Sequence, residues 1–139
     1  MANELLIATG SLCLLLALIE AWVLVAVSFN PKGALSKLIP IPQDVIKSHV
    51  DFLMMSQFLF VFYLLFKHFG IQPCAVVIVC MCLGAVSNPF LFLVRAVTPP
   101  SKSPPTTALR LVAIVSFLLT TAGYLGGAWL VARSALASA

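Results

Sequence analysis

Four long apolar runs constrain the fold of this chain more than any other feature of its sequence. They cover residues 5–28, 45–66, 75–97 and 109–131. Each is long enough to cross the hydrocarbon core of a bilayer as a helix, which takes about 20 residues. Barrel strands are excluded because the runs are too long and lack an alternation of polar and apolar residues. The sequence therefore predicts an all-α protein, a single integral-membrane four-helix bundle that occupies the whole chain of 139 residues.

The composition excludes a soluble globular domain. Hydrophobic residues make up 62% of the chain and charged residues only 9%, whereas soluble domains carry roughly 25% charged residues. We expect the first run to be retained as a helix and not removed as a signal peptide. The residues before it, Met-Ala-Asn-Glu, include no basic side chain, and the run is longer than an ordinary signal core.

The basic residues predict the orientation of the bundle in the membrane. Six of the eight lie in or beside the first and third connections: Lys32, Lys37, Lys47, Arg95, Lys102 and Arg110. These two connections share one face of a four-helix protein, which the positive-inside tendency places in the cytoplasm. The net charge of +4 therefore reflects topology. The sequence lacks the basic stripe with interleaved aromatic residues that a nucleic-acid site needs.

Polar residues within the apolar runs converge on the half of the bundle that the basic residues mark as cytoplasmic. Glu20 lies about 15 Å before the end of the first run, at 1.5 Å per helical residue. His49 and Asp51 lie near the start of the second run, and Asn88 lies in the later part of the third. Since His49 and Asp51 point about 200° apart on a helix, we do not expect them to act on the same small ligand. Ionisable residues within a membrane helix indicate a functional site.

His49 offers the clearest chemistry among these residues. A neutral imidazole ligates iron, and the cationic side chains of Arg95, Arg110 or Lys47 at the same level can meet the propionates of a haem. With one protein ligand, ferric iron keeps an open position at which it can act as a Lewis acid on an oxygen atom. The alternative is that His49 only hydrogen-bonds a lipid headgroup or a loop carbonyl, and that the arginines extend to lipid phosphates. The sequence contains no Ser-His-Asp arrangement, zinc spacing, phosphate loop or dinucleotide fingerprint.

The other buried polar residues also have structural interpretations. Asp51 can pair with Lys47, one turn earlier, and so stabilise the start of its helix. Glu20 has no partner within its own run. We expect it to carry a proton or to hydrogen-bond with Gln57 or Asn88 across the bundle.

The segments between the runs predict how the helices connect. The first connection, residues 30–44, is long enough to fold over the end of the bundle as a lid. The second, residues 68–73, is a tight turn with glycine and proline, and the third, residues 98–107, is proline-rich and extended. Three glycines near the end of the fourth run favour close helix packing, with an oligomer interface as the alternative. They are Gly123, Gly126 and Gly127.

Two short motifs resemble a family of small four-helix membrane isomerases that includes styrene oxide isomerase and hydroxylaminobenzene mutase. Residues 49–56, His-Val-Asp-Phe-Leu-Met-Met-Ser, resemble the family's second-helix pattern of His, aliphatic, acidic, small, Leu, Met, Asn, Gly. Residues 87–92, Ser-Asn-Pro-Phe-Leu-Phe, are similar to the family's Ala-Asn segment before an aromatic pair. Chain length, helix count and the position of both motifs agree as well, so the resemblance covers most of the chain.

The resemblance implies a haem b held between the subunits of a homotrimer, with His49 as the iron ligand and Arg95 and Arg110 as further cofactor-binding residues. It implies a reaction in which a small lipophilic epoxide opens and rearranges to a carbonyl compound. Asn88, Met55 and Phe92 are the catalytic candidates. The family has an asparagine where this chain has Met55 and a substrate-anchoring tyrosine where it has Phe92, and neither replacement can donate a hydrogen bond.

Other functions compete with this expectation. A related mutase acting on aryl hydroxylamines would use the same site. A trimeric membrane enzyme of the glutathione-using type is disfavoured, because the chain lacks a dense set of arginines. A small structural or transport subunit would use Glu20, Gln57 and Asn88 only to join helices, would bind no cofactor and would tolerate replacement of His49.

Overall fold

A computed structural model describes residues 3–98 and 107–137 of the chain. This part of the chain is all-helical, with five helices: α1 (Glu4–Phe29), α2 (Ala34–Leu38), α3 (Pro42–His68), α4 (Ala75–Ala96) and α5 (Thr107–Ala137). By length and composition, α1, α3, α4 and α5 can each cross a membrane. The predicted all-α class and the four apolar helices of a multi-pass membrane protein are thus confirmed.

The helices extend beyond the apolar runs at several ends. Helix α3 begins at Pro42, three residues before the predicted span, because proline is well accommodated in the first turn of a helix. Helix α5 continues to Ala137, since the residues beyond Val131 include no glycine or proline that would end it. Residues 99–106 of the third connection, with Lys102, lie outside the described residues.

The helices do not surround one axis evenly. Helices α1, α3 and α4 pack against one another, whereas α5 packs mainly against α4 and contacts α3 at only a few residues. The shared core consists of large apolar side chains, among them Leu6, Phe52, Leu59, Phe66 and Met81. The fourth spanning helix is therefore an addition to a three-helix core.

The first connection folds over the end of this core, as its length predicts. The Ser36 hydroxyl on α2 donates to the backbone oxygen of Asn30, at 2.7 Å. Ile39 is buried in a small apolar cluster with Val45 and Ala96. The backbone N–H of Ile41 donates to the Ala96 oxygen, at 3.3 Å. These contacts join the start of α3 to the end of α4.

The second connection is a tight turn, as predicted. Gly70 has a φ of 62°, in the left-handed region that glycine adopts without steric cost. The N–H of Ile71 donates to the Phe66 oxygen at 2.8 Å, and that of Gly70 donates to the Lys67 oxygen at 3.4 Å. This pair of bonds is a Schellman motif, which satisfies the last carbonyls of α3 and turns the chain toward α4.

Small residues bring α4 and α5 into backbone contact. A Cβ placed on Gly123 would lie 2.5 Å from the backbone nitrogen of Met81, and one on Gly84 would lie 2.7 Å from the Thr120 Cα. One turn further along the same contact, Ser87 and Ser116 share a hydrogen bond of 2.7 Å. Within one protomer these glycines therefore allow α4 and α5 to pack closely, which is the role that the sequence favoured.

Candidate functional site

His49 lies in the groove between α3 and α1. Its Nδ1 is 2.9 Å from the backbone oxygen of Ala17. Since a carbonyl oxygen can only accept, Nδ1 must carry the proton, and in the neutral ring Nε2 then carries a lone pair. The side chain is partly exposed. This arrangement, with one ring nitrogen bonded to the backbone and the other available, is typical of a metal-ligating histidine.

Ser48, one residue before His49, connects three helices. The Ser48 hydroxyl is completely buried and lies 2.7 Å from Glu20 Oε1 on α1 and 3.0 Å from the backbone oxygen of Pro89 on α4. Glu20 is only 5% exposed, and its second oxygen, Oε2, has no hydrogen-bond partner among the described residues. The prediction that Glu20 bonds to Gln57 or Asn88 is therefore wrong, because its partner is Ser48.

The proline of α4 is accommodated by α1. Pro89 lies inside the helix and, lacking an N–H, cannot bond with the Ala85 oxygen. The thiol of Cys13 on α1 donates to that oxygen, at 3.8 Å between sulphur and oxygen. The Ala85 oxygen, which has no helical partner because of Pro89, is therefore bonded by Cys13. Ser48 contacts the carbonyl oxygen of Pro89 itself.

Asp51 and Asn88 face each other between α3 and α4. The Asn88 Nδ2 donates to Asp51 Oδ2 at 3.5 Å, a long and weak bond. The spacing of Asp51 and Lys47 predicted an ion pair between them. This prediction is wrong, because Lys47 contacts Asp44 instead, at 3.0 Å. Gln57 is exposed and does not join α1 to α3.

A cationic cluster surrounds Phe92 at the end of α4. The Lys47 Nζ lies 6.0 Å and the Arg95 guanidinium 5.9 Å from the centre of its ring. Between them Asp44, only 2% exposed, contacts Lys47 at 3.0 Å and Arg95 Nε at 3.4 Å. Phe92 therefore lies against cations, an interaction of aromatic rings that does not need a hydroxyl group.

Asp44 and Arg95 are expected to stabilise the junction of α3 and α4 modestly. In a double-mutant cycle with Asp44→Asn and Arg95→Gln, we expect a coupling energy of about 1 kcal/mol, because the Arg95 side chain is 54% exposed and solvent weakens such pairs. The cycle is measured by equilibrium unfolding in mixed detergent. A matched cycle with Arg110→Gln, whose arginine contacts no acid in the described part of the chain, should give none. Additive effects of Asp44→Asn and Arg95→Gln would contradict the pairing.

The candidate residues occupy two sides of α3. His49 faces α1, whereas Asn88 and Phe92 lie on the α4 side, where they contact Asp51 and Lys47. Met55 is half-buried against the core. Arg110 is exposed near the start of α5. Within one protomer, His49 therefore contacts α1, whereas Asn88 and Phe92 approach other residues of α3 from α4.

Ser48 and Asp44 are site residues that the sequence analysis missed. Asp44 follows Pro42 in the first turn of α3, where acidic residues are favoured, and this position was a usable signal. Ser48 shares a helical face with Phe52, Ser56 and Leu59, all of them buried.

No cluster of three or more His, Cys, Asp and Glu side chains that would hold a metal ion occurs within residues 3–98 and 107–137. A haem needs only one such ligand. Comparisons of the chain with protein-family models, with curated proteins and with solved structures found no match.

Proposed function

We propose that the protein is a haem-dependent membrane isomerase that converts a small lipophilic epoxide to a carbonyl compound. The observation that carries the proposal is the His49 ring, whose Nδ1 bonds to the Ala17 oxygen at 2.9 Å. This bond sets the tautomer and the ring orientation, and it makes Nε2 the nitrogen available to iron.

The surroundings of His49 suit a haem b. The groove is apolar on the lipid side, where Val50 and Ile46 are exposed on α3. Lys47, Arg95 and Arg110 are among the cations at this end of the helices, and all three are exposed, so they can meet propionate groups. When bound, a ferric haem would supply a Lewis acid for the oxygen of the substrate. The rearrangement is an isomerisation and requires no second substrate.

The two sides of α3 support a site shared between protomers. On α3, His49 contacts α1 whereas Asp51 contacts Asn88 of α4, so the two residues approach different neighbouring helices. In a cyclic oligomer such as a trimer, one face of each subunit meets a different face of the next. His49 of one protomer would then lie opposite Asn88 and Phe92 of its neighbour. The Asn88 amide would supply the polar contact that Met55 and Phe92 cannot.

The orientation follows from the charge distribution. We infer that α2 and the start of α5 lie at the cytoplasmic face, because Lys32, Lys37 and Arg110 are exposed there. A lipophilic substrate would reach His49 from the bilayer, since His49 is partly exposed on a helix that can span the membrane. The product would leave by the same route.

The first test is the ultraviolet–visible spectrum of detergent-purified protein, expressed with sufficient haem and recorded before and after dithionite. We expect a Soret band that shifts on reduction, with about one haem per subunit or per subunit interface. Epoxides and aryl hydroxylamines are then screened by product analysis, and conversion of the latter alone would identify a mutase. A featureless spectrum from folded, haem-supplied protein would refute the proposal.

A structural or transport subunit is the second candidate. Its support is the set of polar contacts that join helices, Ser48 with Glu20 and Pro89, and Asn88 with Asp51. Such contacts hold membrane helices together without any ligand. This function predicts a protein without haem, so the same spectrum distinguishes the two candidates.

A further inference from the structure

Two consecutive residues of α3 bond to one turn of α1. Ser48 Oγ lies 2.7 Å from Glu20 Oε1, and His49 Nδ1 lies 2.9 Å from the Ala17 oxygen. Ala17 and Glu20 are three residues apart and therefore neighbours on the same face of α1. A slide or rotation of α3 against α1 would break both bonds together. The two bonds thus form a clamp that fixes the register of the two helices.

A buried carboxyl group such as that of Glu20 is an energetically unfavourable means of joining two helices. The Glu20 side chain is 5% exposed in a helix whose only other acidic residue is Glu4 at its first position, and burying a carboxyl group that is incompletely hydrogen-bonded is energetically unfavourable. Packing alone would be served by a small or aliphatic residue, as at Ala17 and Cys13 on the same buried face. What the carboxyl group adds is a directional bond to the residue beside His49.

We propose that Glu20 is a positioning residue for His49, which acts through Ser48 and the α1–α3 register to hold His49 Nδ1 on the Ala17 oxygen and Nε2 toward the groove. Its importance for a cofactor rests on the proposed function. The clamp itself does not, because it is a property of the protein without haem. A failure of the clamp and a failure of haem binding can therefore be observed separately.

The histidine tautomer is the measurement that tests the clamp. The chain has two histidines, His49 and His68, so protein labelled with nitrogen-15 histidine gives two sets of ring signals, which His68→Ala assigns. At mildly alkaline pH, where imidazole is neutral, we expect His49 in haem-free protein to be in the Nδ1–H form. A histidine free in water prefers the Nε2–H form. In Glu20→Leu we expect the Nε2–H form of His49 to become the major one.

Three further variants complete the test. Glu20→Gln keeps a side-chain oxygen for Ser48 and should retain the Nδ1–H form. Ser48→Ala removes the same bond from the other side, together with the contact to the Pro89 oxygen on α4. It should reproduce Glu20→Leu and serves in its place if that variant does not fold. Cys13→Ala removes a contact between α1 and α4 and should leave the tautomer unchanged.

For haem-loaded protein, Glu20→Leu should weaken haem affinity about tenfold, as loss of a group that orients a ligand does. An unchanged Nδ1–H form of His49 in folded Glu20→Leu and Ser48→Ala would overturn the proposal. A changed tautomer in Cys13→Ala would also overturn it, because it would show that any loosened helix contact releases His49. Absence of haem from the unmodified protein would leave the tautomer result intact and would refute only the proposed function.

Discussion

Replacement of His49 by alanine is expected to abolish the Soret band of the purified protein, while His68→Ala leaves it unchanged. His68 is the matched control because it is the second histidine of the chain, lies on the same helix and is exposed at its opposite end. The imidazole supplies the only histidine nitrogen at the groove, so its loss should lower haem content at least about tenfold. Folding should survive, because His49 is only partly buried and makes one hydrogen bond.

The His49 experiment has a second arm. His49→Gly leaves space where the ring was. This variant should show a Soret band when free imidazole is added and none without imidazole. Size-exclusion chromatography and circular dichroism of each variant establish that the protein is folded. Normal haem content in folded His49→Ala would exclude His49 as the ligand, and equal loss in His68→Ala would indicate a general effect on assembly.

The spanning helices could be predicted because bilayer thickness sets their length. Each apolar run of about 20 residues leaves the backbone no alternative to a helix in lipid. The ends were less predictable, since a helix continues beyond the bilayer wherever the sequence allows it. Helix α5 therefore reaches Ala137, and α3 begins at Pro42.

The inward faces could not be predicted, because apolar residues on a membrane helix point toward both lipid and protein. Leu18 and Ile19 are exposed on α1, whereas the neighbouring Ala17 is buried. Periodicity of hydrophobicity, which identifies the buried face of a soluble helix, gives no such signal here. For this reason the sequence indicated how far along its helix Glu20 lies but did not identify its partner, Ser48.

Partners of polar residues depended on details that spacing does not provide. Lys47 is three residues from Asp44 and four from Asp51, and both spacings suit an ion pair on a helix. Asp44 is selected because Arg95 also approaches it from α4. Similarly, Ser48 is a small residue without charge, and only the arrival of Glu20 and Pro89 from two other helices gives it importance.

The resemblance and the geometry bear differently on the proposed reaction. His49, Asn88 and Asp51 are each in a polar contact, whereas the Phe92 ring lies near the Lys47 and Arg95 cations. A substrate anchored by a hydroxyl group is therefore disfavoured at Phe92. Under the proposed function, an apolar or aromatic substrate that is held by packing and contacts the Asn88 amide would fit these residues better.

The largest effect on stability is expected from a single methyl group at position 123. In Gly123→Ala the new Cβ would lie 2.5 Å from the backbone nitrogen and 2.9 Å from the Cα of Met81. These are backbone atoms, so no rotation of a side chain relieves the contact and α5 must move away from α4. We expect the free energy of unfolding to fall by about 2–3 kcal/mol, as for a methyl group forced into a packed interior. Steric trapping or detergent denaturation measures this change.

Gly126→Ala is the matched control, because it adds the same methyl group to the same helix. There the nearest atom is a side-chain methyl of Val77, 3.3 Å from the new Cβ, which can move by the small distance required. Both variants gain equally from the higher helix propensity of alanine, about 1 kcal/mol, so the difference between them isolates the contact. Equal stability of the two variants would show that α4 and α5 do not approach through Gly123. Since α5 packs mainly on α4, its placement relative to Asn88 and Phe92 would then have to be revised.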